Sequence, residues 1–263
     1  MADPVTSKVE YDFSDMGGVI VFGGTGGLGM EICERFAAAG SDVAFSYLTS
    51  EAKAADLSDR LAGAGSRVFA RSVKLEDGEA VRAFVAGAVE ALGQVHTVVF
   101  ATGPFVKMIP IAELTQAQWQ EALAADAVGF FNVVNAAIPF LRQTRGSVVA
   151  LSTSGTKRYP ALDLMSAGPK AAVEMIVKAV AREEGRNGIR SNCVCVGQIS
   201  AGQGLKMQDE PRAKKMADRA LEAAPLRRWG TADDIASAVM FLASSNASFI
   251  SGETLCVDGG IHL

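Results

Sequence analysis

The side chains best suited to chemistry fall in a few short stretches. "VIVFGGTGGLGMEICERF" (Val19–Phe36) places Gly23, Gly27 and Gly29 between an apolar run and an amphipathic one. Glycines there permit a tight turn and close backbone approach to an anion. The helix start that follows offers free N–H groups and the positive end of its dipole, a cradle for a pyrophosphate. "LSTSG" (Leu151–Gly155) gathers Ser152, Thr153 and Ser154 at the end of another apolar run. "LMSAGPKAAVEM" (Leu164–Met175) carries Lys170, with Ser166 four residues before it and Tyr159 eleven before it. Asp126 lies seven residues after Trp119 in "WQEALAADAVGFFNV". Hydroxyls, an amine, a phenol and a carboxylate are the side chains of proton transfer.

Elements of alternating type must position these groups. Short β-branched runs at 18–24, 42–47, 67–72, 96–102, 147–153, 189–196 and 253–258 read as strands. Amphipathic, alanine-rich runs near 28–39, 51–63, 77–92, 116–142, 167–186 and 231–244 read as helices. Pro169 fits the fifth of these helices only if that helix has just begun, where a missing N–H costs nothing. Strand–helix alternation implies one α/β domain over 1–263, with a seven-stranded parallel sheet, doubly wound, helices on both faces and right-handed crossovers. Residues 197–230 break the rhythm. They begin Gly-rich, turn charged and helical, and close at Pro225. Because ligands of open α/β sheets sit at the carboxyl ends of strands, this excursion reads as a substrate lid.

Composition narrows the classes. Of 263 residues, 49% are hydrophobic, enough for a large core, and the net charge of −4 offers no nucleic-acid or anionic-membrane surface. Cys33, Cys193, Cys195 and Cys256 form no CxxC pair and only two histidines accompany them, so no metal is expected and the thiols read as reduced. The N-terminal residues lack an apolar core of signal-peptide length, and no uninterrupted apolar run reaches membrane-spanning length; a soluble, cytoplasmic protein is expected.

The Gly-x-x-x-Gly-x-Gly spacing of Gly23, Gly27 and Gly29 resembles that of the short-chain dehydrogenase/reductase superfamily, and the resemblance runs along nearly the whole chain. "NGIRSNCVCVGQISA" (Asn187–Ala201) is similar to the family's sixth strand, with Val196-Gly197 where Pro-Gly is usual. "PLRRWGTADDIASAVMFLASSNASFISGETLCVDGG" (Pro225–Gly260) matches its C-terminal region. The resemblance implies a Rossmann fold, a nicotinamide cofactor held by Gly23, Thr25, Gly26, Gly27, Leu28 and Gly29, and a groove completed by Leu75, Ala101, Gly103, Lys170, Gly197 and Ile199. It also implies a homo-oligomer, tetramer or dimer, with Gly129, Phe130, Phe131, Val173, Ile176 and Val177 as candidate contacts.

An acid ending the second strand would favour NAD in this family. "AFSYLTS" (Ala44–Ser50) has none; Ser46, Thr49 and Ser50 offer hydroxyls and Lys53 stands nearby, which favours NADP(H) over NAD(H). Lys74 replaces a usual Asp, and Phe100-Ala101-Thr102-Gly103 replaces the usual Asn-Asn-Ala-Gly.

The family's usual catalytic set is Asn, Ser, Tyr and Lys. By resemblance, Asp126 takes the Asn position, Thr153 or Ser154 the Ser position that holds the substrate oxygen, and Lys170 the lysine that holds the ribose. Ser166 stands where the tyrosine would protonate a carbonyl oxygen. A serine hydroxyl is shorter and far less acidic than a phenol, so Tyr159 or a lysine-held water is left as proton donor. Enoyl thioester reductases place their tyrosine seven residues before the lysine, where this chain has Asp163. "SAGPKAAVE" followed by "GQISAGQGL" is more similar to the dienoyl-CoA reductase branch.

Three functions follow from these readings. The first is NADP(H)-dependent reduction of a small-molecule carbonyl, enone or enoyl thioester by hydride transfer with a non-standard site. The second is nucleotide binding without redox turnover, as a sensor or partner subunit. The third is a dehydratase or isomerase with Asp126 as base.

Overall fold

The computed structural model describes residues 11–103, 107–202, 204–205 and 211–263. Residues 203 and 206–210 of the expected lid lie outside them. Seven parallel strands form one sheet: β1 (Gly18–Phe22), β2 (Val43–Tyr47), β3 (Val68–Ser72), β4 (Val95–Phe100), β5 (Ser147–Thr153), β6 (Arg190–Val196) and β7 (Thr254–Val257), in spatial order β3-β2-β1-β4-β5-β6-β7. The order reverses between β1 and β4, so loops leaving those two strands diverge and open a crevice at their carboxyl ends. Every residue of β1 and β4 is buried, as strands covered on both faces require.

Helices α1 (Gly27–Ala38), α2 (Glu51–Gly63), α3 (Gly78–Leu92), α4 (Gln116–Leu123), α5 (Gly129–Thr144), α6 (Leu164–Glu184), α7 (Pro211–Ala223) and α8 (Ala232–Ala243) follow the strands. α3, α5 and α6 bury Phe84, Phe130 and Val173 with Phe22 and Phe100 in one core; α1, α2 and α8 bury Ile32, Phe36, Leu57 and Ile235 with Val21 and Phe45 in the other. Each such side chain is worth about 1.5–3 kcal/mol of transfer free energy, so the two cores clamp the sheet that carries the crevice. Local signals set the helix ends. Asp77 accepts from the N–H groups of Glu79 and Ala80 at the start of α3, and Thr231 with Asp234 forms a capping box on α8.

Two helices differ from the sequence reading. The run expected as one helix over 116–142 is interrupted by a π-helical turn, Ala124–Val128, between α4 and α5. One extra residue per turn there rotates Asp126 inward, where its side chain is 3% exposed. The helix expected from 167 starts three residues earlier, because the Asp163 carbonyl accepts from Ser166 N and Ala167 N and closes a turn ahead of Pro169. Pro169 is therefore inside α6 rather than at its first position.

The helix faces suggested for subunit contact divide differently as well. Phe130, Val173 and Val177 are fully buried in the core, and Gly129 packs on Leu75; Phe131 is exposed, as are Val128 and Met175 beside these positions. By length and composition the continuous helical stretch Gln116–Thr144 could cross a membrane, but α5 packs on α3, α6 and β4 within this fold.

Candidate active site

A cavity of about 1210 Å³ opens at the carboxyl ends of β1, β4, β5 and β6. That exceeds a usual small-ligand pocket and has room for a dinucleotide with a substrate beside it. Its walls come from the glycine turn, the loops after β4, β5 and β6, the start of α6, and the α7 residues Arg219, Ala220 and Ala223.

The glycine turn is held tightly. Gly23 has φ +87°, a backbone region that disfavours side chains. A Cβ on Gly29 would lie 2.1 Å from the Gly23 carbonyl oxygen, and one on Gly27 would lie 2.5 Å from Gly202 N. Gly26 caps α1 without any side-chain acceptor, so among the described residues the first-turn N–H groups of α1 remain free beside Thr25, Gly26, Gly27 and Leu28 in the cavity wall. This uncapped, positively polarised helix start fits the pyrophosphate of a nicotinamide dinucleotide. Thr102 Oγ1, buried in the opposite wall without a hydrogen-bond partner among the described residues, is a further polar group suited to a bound ligand.

Lys170 and Asp126 meet at the base of the cleft. Lys170 Nζ lies 2.9 Å from Asp126 Oδ1, donates to the Thr102 carbonyl oxygen at 2.7 Å and sits 5.1 Å from the Phe100 ring centre. Both side chains line the cavity yet are more than nine-tenths buried. The ammonium is thus fixed by an ion pair and a carbonyl at the base of the cleft.

Thr153, Ser154, Ser166 and Tyr159 all line the same cavity. Thr153 Oγ1 accepts from Gly155 N, which shapes the turn after β5. Ser154 Oγ and Ser166 Oγ have no hydrogen-bond partner among the described residues. Tyr159 stands at the cavity wall 55% exposed to solvent. Ser152, also in the wall, donates to Glu174 Oε1 at 2.6 Å; Thr156 Oγ1 and Lys157 Nζ donate to the same carboxylate. Burial works against the charge of Glu174, but these donors outweigh it and hold the carboxyl below the usual range.

Ala101, Gly103, Gly197 and Ile199 line the cleft. Three cofactor candidates do not. Ser46 is 2% exposed and its Oγ accepts from Gly23 N, so it braces the glycine turn from below. Thr49 points to solvent outside the cavity, while Ser50 and Lys53 line it. Leu75 is buried against Gly129. The two histidines lie elsewhere. His96 stacks on Phe13 with ring centres 5.2 Å apart, and burial pushes its pKa down to about 4. His262 bonds Asp258 at 2.8 Å. With Cys256 these two place ligand-type atoms within 4.8 Å of one another, although Asp258 already accepts from the N–H groups of Gly260 and His262.

Sequence reasoning gave no role to Asp163, Thr102 or Glu174. Asp163 lines the cleft, and burial pushes its pKa up to about 7. Its position ahead of α6 was readable in the sequence; its desolvation comes from tertiary packing.

A doubly wound parallel sheet with a glycine turn, free helix N–H groups and a lysine in one crevice defines the dinucleotide-binding oxidoreductases. The family model described as Enoyl-(Acyl carrier protein) reductase matches residues 23–262. A 3-oxoacyl-(acyl-carrier-protein) reductase FabG of Staphylococcus epidermidis is 29% identical over 252 residues, covering 93% of this chain and 98% of that protein. A 3beta-hydroxysteroid dehydrogenase 2 of Eggerthella lenta is 31% identical over 250 residues, covering 92% and 93%. Among solved structures, a short-chain type dehydrogenase/reductase from Mycobacterium ulcerans superposes with TM-score 0.89 at 23% identity, covering 95% of this chain and 91% of that one. A blue fluorescent protein from a metagenomic library, in complex with NADPH, superposes with TM-score 0.86 at 27% identity, covering 95% and 99%. The chain belongs to the short-chain dehydrogenase/reductase superfamily of oxidoreductases.

Proposed function

We propose that the protein is an NADP(H)-dependent reductase of a carbonyl or a conjugated enone or enoyl thioester, working without the usual tyrosine. One observation carries this reading: a single cleft joins the uncapped start of α1 to Lys170, Thr153 and Ser154. A bound nicotinamide supplies the hydride. The α1 N–H groups would hold the diphosphate, and the fixed Lys170 ammonium would hold the ribose. Thr153 or Ser154 donates to the substrate oxygen and orients the acceptor carbon. A lid role for the excursion after β6 is supported by Ile199, Ala201 and Gly202 and by Arg219, Ala220 and Ala223 of α7, which line the cavity. The relatives named for 3-oxoacyl thioesters and the family named for enoyl ones support an acyl-chain substrate with a polarised oxygen.

Preference for NADP(H) is supported by Ser50 and Lys53 at the adenosine end of the cleft. The acidic side chains that line the cavity, Asp126 and Asp163, belong to the Lys170 end. The exposed Val128 just ahead of α5, Phe131 on α5 and Met175 on α6 support a homo-oligomer built on these two helices. A second reading, nucleotide binding without turnover, is favoured by the pairing of Lys170 with Asp126.

The test is titration of the purified protein with NADPH and NADH, followed by nucleotide fluorescence. NADPH oxidation is then assayed with acetoacetyl-CoA and with cyclohexenone. Tight NADPH binding with turnover of either substrate is expected. Binding without turnover across a broad ketone and enone panel would favour the second reading, and binding of neither nucleotide would remove both.

A further inference from the structure

The cleft contains a carboxyl that this reading leaves unused. Asp163 precedes α6, three residues before Ser166 and seven before Lys170. Its backbone carbonyl closes the first turn, but its side chain does not cap the helix. Among the described residues that side chain has no hydrogen bond and no ion pair. It lies against the turn that follows β5: a Cβ on Gly155 would be 3.1 Å from Asp163 Oδ2. Gly155 directly follows Thr153 and Ser154, the hydroxyls suited to holding a substrate oxygen. The glycine thus leaves room for the carboxyl beside them.

None of the other charged groups lining the cavity pairs with Asp163 among the described residues, although Ile109 N donates to the Leu162 carbonyl and brings the Lys107 segment near it. Lys170 and Asp126 pair with each other. Arg158 donates to the carbonyl oxygens of Ile261 and Leu263, while Lys107 and Arg219 are exposed and Lys53 stands at the adenosine end. With no cation paired to it, burial keeps the carboxyl protonated up to a pKa of about 7. A neutral carboxylic acid at neutral pH is a competent proton donor to a developing alkoxide.

We propose that Asp163 is the group that protonates the substrate oxygen, in place of the tyrosine absent at Ser166; this rests on the reductase reading above. The carbonyl carbon takes a hydride, two electrons with one hydrogen, from the reduced nicotinamide, which is oxidised. The carbonyl π pair moves to oxygen, which takes the Asp163 proton and becomes a hydroxyl. The carboxylate left behind is reprotonated from water through the cleft. On a conjugated substrate the same proton goes first to the enolate oxygen, and the resulting enol tautomerises through water.

Asp163→Asn keeps the shape and removes the acid; Asp163→Glu restores an acid on a longer stem. With acetoacetyl-CoA as substrate, wild-type kcat for reduction should fall as pH rises through about 7. Asp163→Asn should lose roughly 100-fold or more in kcat and lose that pH limb, with the NADPH dissociation constant unchanged. Asp163→Glu should recover part of both. In the ligand-free protein, the infrared band of a protonated carboxyl that titrates near pH 7 should vanish in Asp163→Asn. A folded Asp163→Asn protein with wild-type kcat and pH profile overturns the proposal and leaves the reductase reading standing. Failure of the wild type to oxidise NADPH with any substrate removes that reading and the proposal together.

Discussion

Lys170 Nζ and Asp126 Oδ1 stand 2.9 Å apart with their side chains 9% and 3% exposed. An ion pair this deep gains little against its desolvation, but breaking it strands a charge. Asp126→Ala should therefore lower the unfolding free energy by about 3 kcal/mol. Adding Lys170→Met removes the stranded ammonium and should recover most of that loss. Urea melts of the two single variants and the double variant give the coupling directly; additive losses would mean that the two residues act independently.

The same geometry separates Lys170 from Ser166. Lys170→Ala removes the only fixed cation at the base of the cleft among the described residues and should abolish NADPH oxidation. Ser166 Oγ has no partner among the described residues, and its hydroxyl is too weak an acid for the tyrosine's role, so Ser166→Ala should leave turnover close to wild type. A folded Ser166→Ala protein that binds NADPH but has lost turnover would reassign the proton path to that hydroxyl.

Gly29 is the most constrained position of the glycine turn. Its missing Cβ would fall 2.1 Å from the Gly23 carbonyl oxygen and 3.1 Å from Gly24 Cα. Gly29→Ala must push α1 away from the turn, at a cost of about 1–3 kcal/mol. A lower melting temperature and weakened NADPH binding are expected together. Weakened stability with an unchanged dissociation constant would show that the cradle can move as a unit with its helix.

Most of the architecture was readable because the sheet is buried on both faces. Short apolar, β-branched runs such as Gly18–Phe22 and Val148–Leu151 read as buried strands, and Gly23, Gly27 and Gly29 have a steric reason at their spacing. What escaped depends on contacts between distant segments. Nothing in "EALAADAVGF" marks the π-helical turn that rotates Asp126 inward. Gly168-Pro169 looks like a helix beginning, yet Asp163 closes a turn before it. Ser46 resembles a phosphate ligand by position, and only the fold reveals that it is sealed beneath Gly23. Phe130 and Phe131 are adjacent and equally apolar; helix rotation alone sends one into the core and leaves the other exposed.

Glu174 ties the end of β5 and the turn after it to α6 through Ser152, Thr156 and Lys157, at 2.6, 2.6 and 2.7 Å. Glu174→Ala should destabilise the protein by about 3 kcal/mol at neutral pH, since three donors lose their acceptor. The carboxyl is held below its usual range in the folded state, so its stabilisation is fully present above the unfolded value of about 4.3 and fades as pH falls through the lower folded value. The wild type and Glu174→Ala should converge in stability toward strong acid. Melts that keep a constant gap down to pH 3 would assign the loss to packing instead.

Lys53 is the residue on which cofactor choice should turn. It lines the cavity with Ser50 on the side away from Asp126 and Asp163, on the first turn of α2. A 2′-phosphate brings extra negative charge to that end, which an ammonium attracts and a carboxylate would repel. Lys53→Glu replaces attraction by repulsion and should weaken NADPH binding at least tenfold, about 1.4 kcal/mol, while NADH binding changes little. The effect should shrink as salt is raised, because the site is open to water and the interaction is screened. Dissociation constants for both nucleotides at low and high salt decide the matter. If the two nucleotides weaken equally, Lys53 supports the helix or the adenine pocket and does not read the phosphate.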